Sequence, residues 1–337
     1  MVDSGAQTSR SPLKVSVIIP VFNRPEAVRR AIDSVLTQTC QDFEIIVVDD
    51  ASTDATPAVV AAFTDPRIRL LRHERNRGGS AARNTGIQAS SALYVAFLDS
   101  DDEWLPNKLE RQLAVFEGAT DEVGLVYAGV ERVYEDGVVS RDVPRSGQNL
   151  TRTLLLENVI GETSVGMVRR SVLDETGVFD ESLPSCQDLD LWLRICERFH
   201  AVPVSEVLVR TSKGNDSNRI SANIPRTVLG RELYGRKHRE KLIRHGVLHL
   251  FLRESGWWQQ RRVRDARMAR RFYVESLRAK PLAPWTYVLL LVSYQPMSWL
   301  DIAARCKHQV ARWLKFGSPS VRPDAAVSPV TDSSGPA

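Results

Sequence analysis

The stretch FLDSDDEWLP, residues 97–106, puts four acids into five consecutive positions: Asp99, Asp101, Asp102 and Glu103. Adjacent carboxylates repel, so a fold gathers them at a ligand or lets them escape into solvent. Asp99 and Asp101 are two residues apart. In an extended segment they would project to one side, where paired carboxylates suit a hard divalent cation, Mg2+ or Mn2+, shared with substrate phosphates. The chain has no G-x-x-x-x-G-K-[ST] loop and no G-x-G-x-x-G after its first apolar run. A metal bridge, not a glycine loop, would then hold the phosphates. The same acids would also suit a solvated turn ahead of PNKLERQLAVF, where they favour a helix N-terminus.

The elements that must position these acids alternate. VSVIIP (15–20) and FEIIVVDD (43–50) are short β-branched runs of buried-strand type, as are RIRLLR (67–72) and ALYVAFLD (92–99). Between them, PEAVRRAIDSVLTQT repeats Val28, Ala31, Ile32, Val35 and Leu36 at helical spacing behind Pro25. TDATPAVVAAF and GGSAARNTGIQAS supply two further helices. This β-α-β-α-β-α-β series predicts an α/β fold, a doubly wound, mostly parallel sheet with helices on both faces. Ligands bind outside the carboxyl ends of such strands. PVFN (20–23), DDAS (49–52) and DSDD (99–102) stand at three of those ends. The acids therefore face a ligand crevice.

The collinear runs VSVIIPVFNRPEAVRRAIDSVLTQTCQDFEIIVVDDASTDAT, NRGGSAARNTGI and YVAFLDSDDEWLPNKLERQ resemble the family 2 glycosyltransferases of the GT-A fold, over about residues 14–210. The resemblance implies an inverting, metal-assisted transferase that uses a nucleotide diphosphate sugar, most simply a UDP-sugar, and a glycan or lipid-linked acceptor. Carried over by position, it places Pro20, Phe22 and Asn23 beside the base and ribose, with the Phe22 ring facing the base. Asp50 would accept from the base N–H, Arg83 would follow the nucleotide toward its diphosphate, and Asp99 would lie near ribose and metal. Asp101 would be the metal ligand. An inverting displacement needs a carboxylate to take the proton of the attacking hydroxyl. The resemblance assigns this to Asp188 in PSCQDLDLWLRICERF, at the start of an amphipathic helix. The family's acid–Asp pair is here Gln187-Asp188, so no neighbouring carboxylate would raise the Asp188 pKa. Asp188 and Asp190 would also suit a helix N-terminus. Gln187 keeps open an alternative, a nucleotide-sugar-binding scaffold without catalysis. Nucleotidyl transfer would want early basic residues for a triphosphate, and PVFNRPE offers only Arg24.

Charge divides the chain. Residues 1–224 carry 24 Lys and Arg against 33 Asp and Glu, a balance of −9, whereas residues 225–316 carry 20 against 6, a balance of +14. The expected organisation is an unordered 1–13, a catalytic domain over 14–224, a basic helical segment over 225–316 and an unordered Pro/Ser/Ala-rich tail over 317–337. In the basic segment Arg and Lys interleave with Trp257, Trp258, Phe272 and Tyr273. PLAPWTYVLLLVSYQPMSWL (281–300) is interrupted by Gln295-Pro296, too early for the ~20 apolar residues of a spanning helix. An interfacial helix on an anionic membrane is expected, with Trp285, Leu289, Leu290 and Trp299 inserted. A cap packed on the catalytic domain is the competing expectation, and nucleic acid is the least favoured partner. His245 and His249 are four apart on an expected helix but lack a third ligand for zinc. Four cysteines without a CxxC pair, and a polar N-terminus without a signal-like apolar core, point to reduced thiols and a cytoplasmic protein, peripheral at the inner face of the membrane.

Overall fold

The computed structural model describes residues 13–134, 136–144, 150–213 and 223–295. The expected unordered ends, apart from Leu13, lie outside the described residues, as does Trp299. In chain order the elements are β1 (Val15–Val21), α1 (Pro25–Leu36), β2 (Phe43–Asp49), α2 (Thr56–Ala61), β3 (Ile68–Arg72), α3 (Gly79–Ala89), β4 (Tyr94–Phe97) and β5 (Asp102–Trp104). Next come α4 (Lys108–Glu117), β6 (Val123–Tyr134), β7 (Val139–Asp142), α5 (Leu150–Leu154), β8 (Gly166–Arg169), α6 (Arg170–Thr176), α7 (Gln187–Cys196) and β9 (His200–Lys213). Five helices follow: α8 (Ile224–Lys237), α9 (Arg239–Arg244), α10 (Leu248–Trp258), α11 (Ala266–Ala279) and α12 (Pro284–Val292).

One sheet runs β3-β2-β1-β4-β8-β6-β9-β5, with β7 paired to β6. β1 through β4 form the parallel half expected from the sequence. β1 and β2 are buried at every position, which explains their unbroken β-branched runs. Pro20 lies opposite Val48. A central strand rarely tolerates proline, but the β4 pairing stops at Ile18 and Phe97, so no ladder donor is lost there. α1 buries Val28, Ala31, Ile32 and Val35 as its spacing predicts, and ends at Leu36. α3 packs so closely on β1 that a Cβ on Gly86 would stand 2.5 Å from Ile18 Cγ2.

β6 and β9, a parallel pair of 12 and 14 residues, complete the sheet and are not anticipated from the sequence. The antiparallel β8 joins them to β4. The apolar core does not stop where the charge changes sign: Tyr234, Leu242, Val247 and Phe251 belong to the same cluster as the sheet.

The C-terminal helices correct two expectations. Gly246, at φ +66°, separates α9 from α10, so His245 and His249 do not share a helix. On α12, Leu289 is buried and packs with Ala269 and Tyr273, while Trp285 and Leu290 pack against that cluster. The outward face is instead Tyr287, Val288 and Leu291, followed by Tyr294. PWTYVLLLV is apolar on both sides, so its spacing does not say which side turns inward. No described helix is long and apolar enough to cross a membrane.

Gly86→Ala should lower the unfolding free energy by about 1–3 kcal/mol, the usual cost of overpacking a tight interface. Urea unfolding against the parent measures it.

Candidate active site

The four clustered acids meet four different fates. Asp102 N donates to Asp99 O at 2.9 Å, which closes a turn over Asp99–Asp102. The D-x-D pair is therefore not on an extended segment. Asp99 binds the guanidinium of Arg83 and accepts from Thr163 Oγ1 at 2.9 Å. Asp101 stands 3.1 Å from Arg24 Nη1. Asp102 is buried and accepts from Ser164 Oγ at 2.7 Å. Glu103 pairs with Arg30 at 3.2 Å. Burial penalises the charged form of Asp99, but the Arg83 charge and hydrogen bond outweigh it and hold its pKa below the ordinary value. Asp102 is pushed well above the ordinary range by burial and by the Asp99 and Asp101 charges.

The ends of β1 and β2 are tied to each other. Asn23 N donates to Ser52 Oγ at 2.8 Å, and Asn23 Oδ1 accepts from Thr53 N at 2.8 Å. Phe22 is half-buried beside them, and Pro20 is buried one step back in β1. Asp50 is buried, and its carboxylate organises the loop after β3. Oδ1 takes Arg77 N at 2.8 Å and His73 Nδ1 at 2.7 Å, and Oδ2 takes Gly78 N at 2.7 Å. A carboxylate offers about four lone-pair positions, so three are occupied and one remains on Oδ2. Four described non-glycine residues have positive φ: Asn23, Ala51, Cys186 and Arg264. The first three adjoin candidate site residues, Phe22, Asp50 and, two positions on, Asp188, and strained backbone tends to collect at functional sites.

Asp188 opens α7. Its Oδ2 accepts from Asn158 Nδ2 at 2.9 Å. Burial raises its pKa to about 6, with the Glu162 and Asp99 charges adding to the rise and Arg83 opposing it. The fields of Arg83 and Asp99 thus reach Asp188, although more than eighty residues separate them in sequence. The lost acidic neighbour does not leave Asp188 at its ordinary pKa, because burial supplies the shift. Gln187 is buried, and its amide donates to Leu183 O at 3.0 Å and Pro184 O at 3.3 Å. An ionised Glu could not donate those bonds. Asp190 is fully buried. It pairs with Arg194 at 2.9 Å and with Lys237 and His238 at 2.8 Å each. Burial opposes its charge, but these partners hold its pKa well below the ordinary value.

The fold thus puts Phe22, Asn23, Asp50, Asp99 and Asp101 just beyond the carboxyl ends of β1, β2 and β4, and Asp188 at the start of α7, with Arg83 inside α3 paired to Asp99. The sequence did not single out Asn158, Glu162, Thr163 or Ser164. They lie in an irregular stretch, NVIGETSV, whose polar residues carry no spacing signal. His73 was missed as well, since a lone histidine after a strand says nothing until Asp50 is beside it.

Residues 16–177 match the family described as Glycosyl transferase family 2. The chain is 37% identical over 184 residues to the UDP-Glc:alpha-D-GlcNAc-diphosphoundecaprenol beta-1,3-glucosyltransferase WfgD of Escherichia coli, covering 54% of this chain and 69% of that one. It is 33% identical over 220 residues to TuaG of Bacillus subtilis, a protein named for teichuronic acid biosynthesis, covering 64% and 84%. Its fold is like that of S. aureus TarS 1–349, solved with UDP-GlcNAc, at a TM-score of 0.62 and 18% identity, covering 83% and 89%. It is also like that of the mannosyltransferase PcManGT from Pyrobaculum calidifontis, solved with GDP-Man and Mn2+, at 0.54 and 21%, covering 88% and 85%. At these identities the two structures speak to fold alone.

A raised carboxyl pKa has a stability consequence. The folded state keeps the Asp188 proton up to about pH 6, whereas the unfolded chain loses it near 3.8. Ionising Asp188 in place therefore costs stability, increasingly between pH 4 and 6 and in full above that. Asp188→Asn should remove the penalty, up to ~3 kcal/mol at 1.36 kcal/mol per unit. Thermal unfolding from pH 4 to 8 should show the variant gaining over the parent as pH rises.

Proposed function

The chain belongs to the family 2 glycosyltransferases, and from that premise we propose that it moves a sugar from a nucleoside diphosphate sugar to a hydroxyl of a cell-surface glycan or lipid-linked saccharide, with inversion. The observation that carries this reading is Asp188. It is a carboxyl tuned to about 6, within electrostatic reach of the Arg83–Asp99 pair. A base that must be ionised near neutral pH, yet still take a proton, wants such a value. WfgD and TarS 1–349 add support through the UDP-sugars in their descriptions.

In this reading Asp50 offers its remaining lone pair to a base N–H, and the Phe22 ring lies against the base. Asn23 fixes the loop beneath the ribose. Asp99, held by Arg83 and Thr163, is oriented toward ribose and diphosphate. Asp188 accepts the proton of the acceptor hydroxyl as that oxygen attacks the anomeric carbon and the nucleoside diphosphate leaves from the opposite face. Asn158 keeps its carboxylate aimed.

A divalent cation fits the donor set. Asp101 and Asp99 offer the oxygen ligands that Mg2+ and Mn2+ favour. Among the described residues no three His, Cys, Asp or Glu side chains gather to hold a metal, so substrate diphosphate and water would complete its shell. When bound, the ion would stabilise the charge on the leaving diphosphate.

The membrane assignment rests on α12. Tyr287, Val288, Leu291 and Tyr294 are all exposed, and α11 presents the exposed arginines Arg267, Arg271 and Arg278. Apolar groups beside cationic ones suit the inner face of an anionic membrane, where lipid-linked acceptors would lie.

Asp101→Ala should abolish Mn2+-dependent binding of the donor diphosphate, read by calorimetry with UDP. Asp188→Asn should keep that binding but reduce turnover by roughly 10²–10⁴-fold. For the parent, kcat/KM should climb through about pH 6 as Asp188 ionises, then level off. Unchanged turnover in Asp188→Asn would sink the assignment. In co-sedimentation with phosphatidylglycerol vesicles, Leu291→Glu should lose binding that the parent shows at low salt. Binding by neither, at any salt, would leave the helices as a cap.

A further inference from the structure

Helix α8 begins where the charge changes sign, yet one face of it is laid against the segments that hold Asp188. Arg226 Nε donates to Pro184 O at 2.9 Å, and Ser185 Oγ donates to Thr227 O at 3.1 Å. One turn on, Gly230 meets Ser185 so closely that a Cβ would collide with Ser185 Oγ and stand 2.7 Å from its backbone nitrogen. Arg231 reaches toward Leu156 O at 3.4 Å, and Tyr234 OH donates to Leu154 O at 2.9 Å. At the C-terminal end, Lys237 bridges Asp180 at 2.6 Å and Asp190 at 2.8 Å, and His238 Nε2 meets Asp190 at 2.8 Å. Positions 226, 230, 234 and 237 recur at helical spacing, so the contacts form one stripe.

The stripe touches both supports of the candidate base. Residues 154–156 lead into Asn158, whose amide holds Asp188, and residues 180–190 include Asp188 itself. Cys186, immediately before α7, has φ +61°, a left-handed conformation that is strained for a non-glycine residue. Contacts on either side must hold that backbone. α8 supplies them at Ser185 through Gly230 and at Asp190 through Lys237 and His238.

We propose that α8 is a positioning element of the catalytic centre, which fixes the turn carrying Asp188 by seating Gly230 on Ser185 and anchoring Asp190 with Lys237 and His238. The proposal rests on the reading of Asp188 as the acceptor-side base. It makes the first helix of the basic segment a working part of the transferase.

The test uses the full chain with Lys237→Met, Lys237→Arg and Gly230→Ala, and Asp188→Asn alongside. Lys237 is partly exposed, and Asp190 keeps Arg194 and His238 in its absence, so Lys237→Met should fold even if Gly230→Ala does not. Hydrogen exchange should show protection lost at amides 185–191 in Lys237→Met while the β1–β4 sheet stays protected. Release of UDP from UDP-Glc and UDP-GlcNAc should show kcat reduced roughly 10- to 100-fold, the scale of a small misplacement of a reacting group, with donor KM unchanged. Lys237→Arg should recover most of it. Unchanged exchange at 185–191, or lost protection with kcat intact, overturns the proposal. Full activity in Asp188→Asn would instead overturn the base assignment. If the parent turned over neither donor, the function reading would lose support, and exchange would still decide whether α8 holds that turn.

Discussion

Arg83 holds the centre together. Its guanidinium is buried on α3, pairs with Asp99 and lies 5.4 Å from the centre of the Phe179 ring. Arg132 already offsets Glu162 and Arg24 stands on Asp101, but without Arg83 the acids Asp99, Asp102 and Asp188 would face one another with no guanidinium on Asp99. With it, Asp99 stays ionised; burial and the Asp99 and Asp101 charges then drive Asp102 toward its neutral form, and Asp188 settles between the two extremes. The tight packing of Gly86 on Ile18 sets how deep α3 sits on β1, and so where the guanidinium points.

α7 carries the same lesson on a shorter scale. Asp188 and Asp190 are two residues apart on one helix, and their pKa values move in opposite directions. Both are penalised by burial. Asp190 receives three basic partners, Arg194, Lys237 and His238, whereas Asp188 receives only neutral donors, the Asn158 amide and the Leu189 backbone N–H. One acid is fixed as an anion for structure. The other stays able to exchange a proton, and separation of this kind is how acids of like chemistry take different roles.

Much of the N-terminal half was legible because its signals are local. β-branched runs bounded by polar residues named β1 and β2, helical spacing named α1, and the order of elements gave the crevice. Less was legible where a residue's meaning comes from a distant partner. Ser164 matters because Asp102 and the Asp99 amide converge on it from 62 and 65 residues away. Gln187 reads as a departure from the family's pair until Leu183 O and Pro184 O are seen pointing at its amide. The α12 face was misread for a different reason: a helix apolar all round has no moment to orient it, and only the packing of Leu289 on Tyr273 decides. The D-x-D spacing misled because it presumes extended backbone, and the Asp102–Asp99 turn bond removes that premise.

The charge asymmetry, too, resolves into two jobs. Lys237, His238 and Lys241 reach back across the seam to Asp180, Asp190 and Glu197, so this part of the basic excess neutralises acids of the front half. Such pairs gain from partial burial and are weakly screened by salt. Further along, Arg261 and Arg262 lie over Trp257 and Trp258, and Arg270 over Tyr294. Arginine on aromatic surface keeps its charge available while its stem covers apolar area. The basic segment therefore changes purpose along its length. Its first helices complete the fold around Asp188, and its last helices present charge and apolar surface outward. A boundary drawn from net charge coincides with the start of α8 at Ile224, but it divides a chain whose core and ion pairs run straight through.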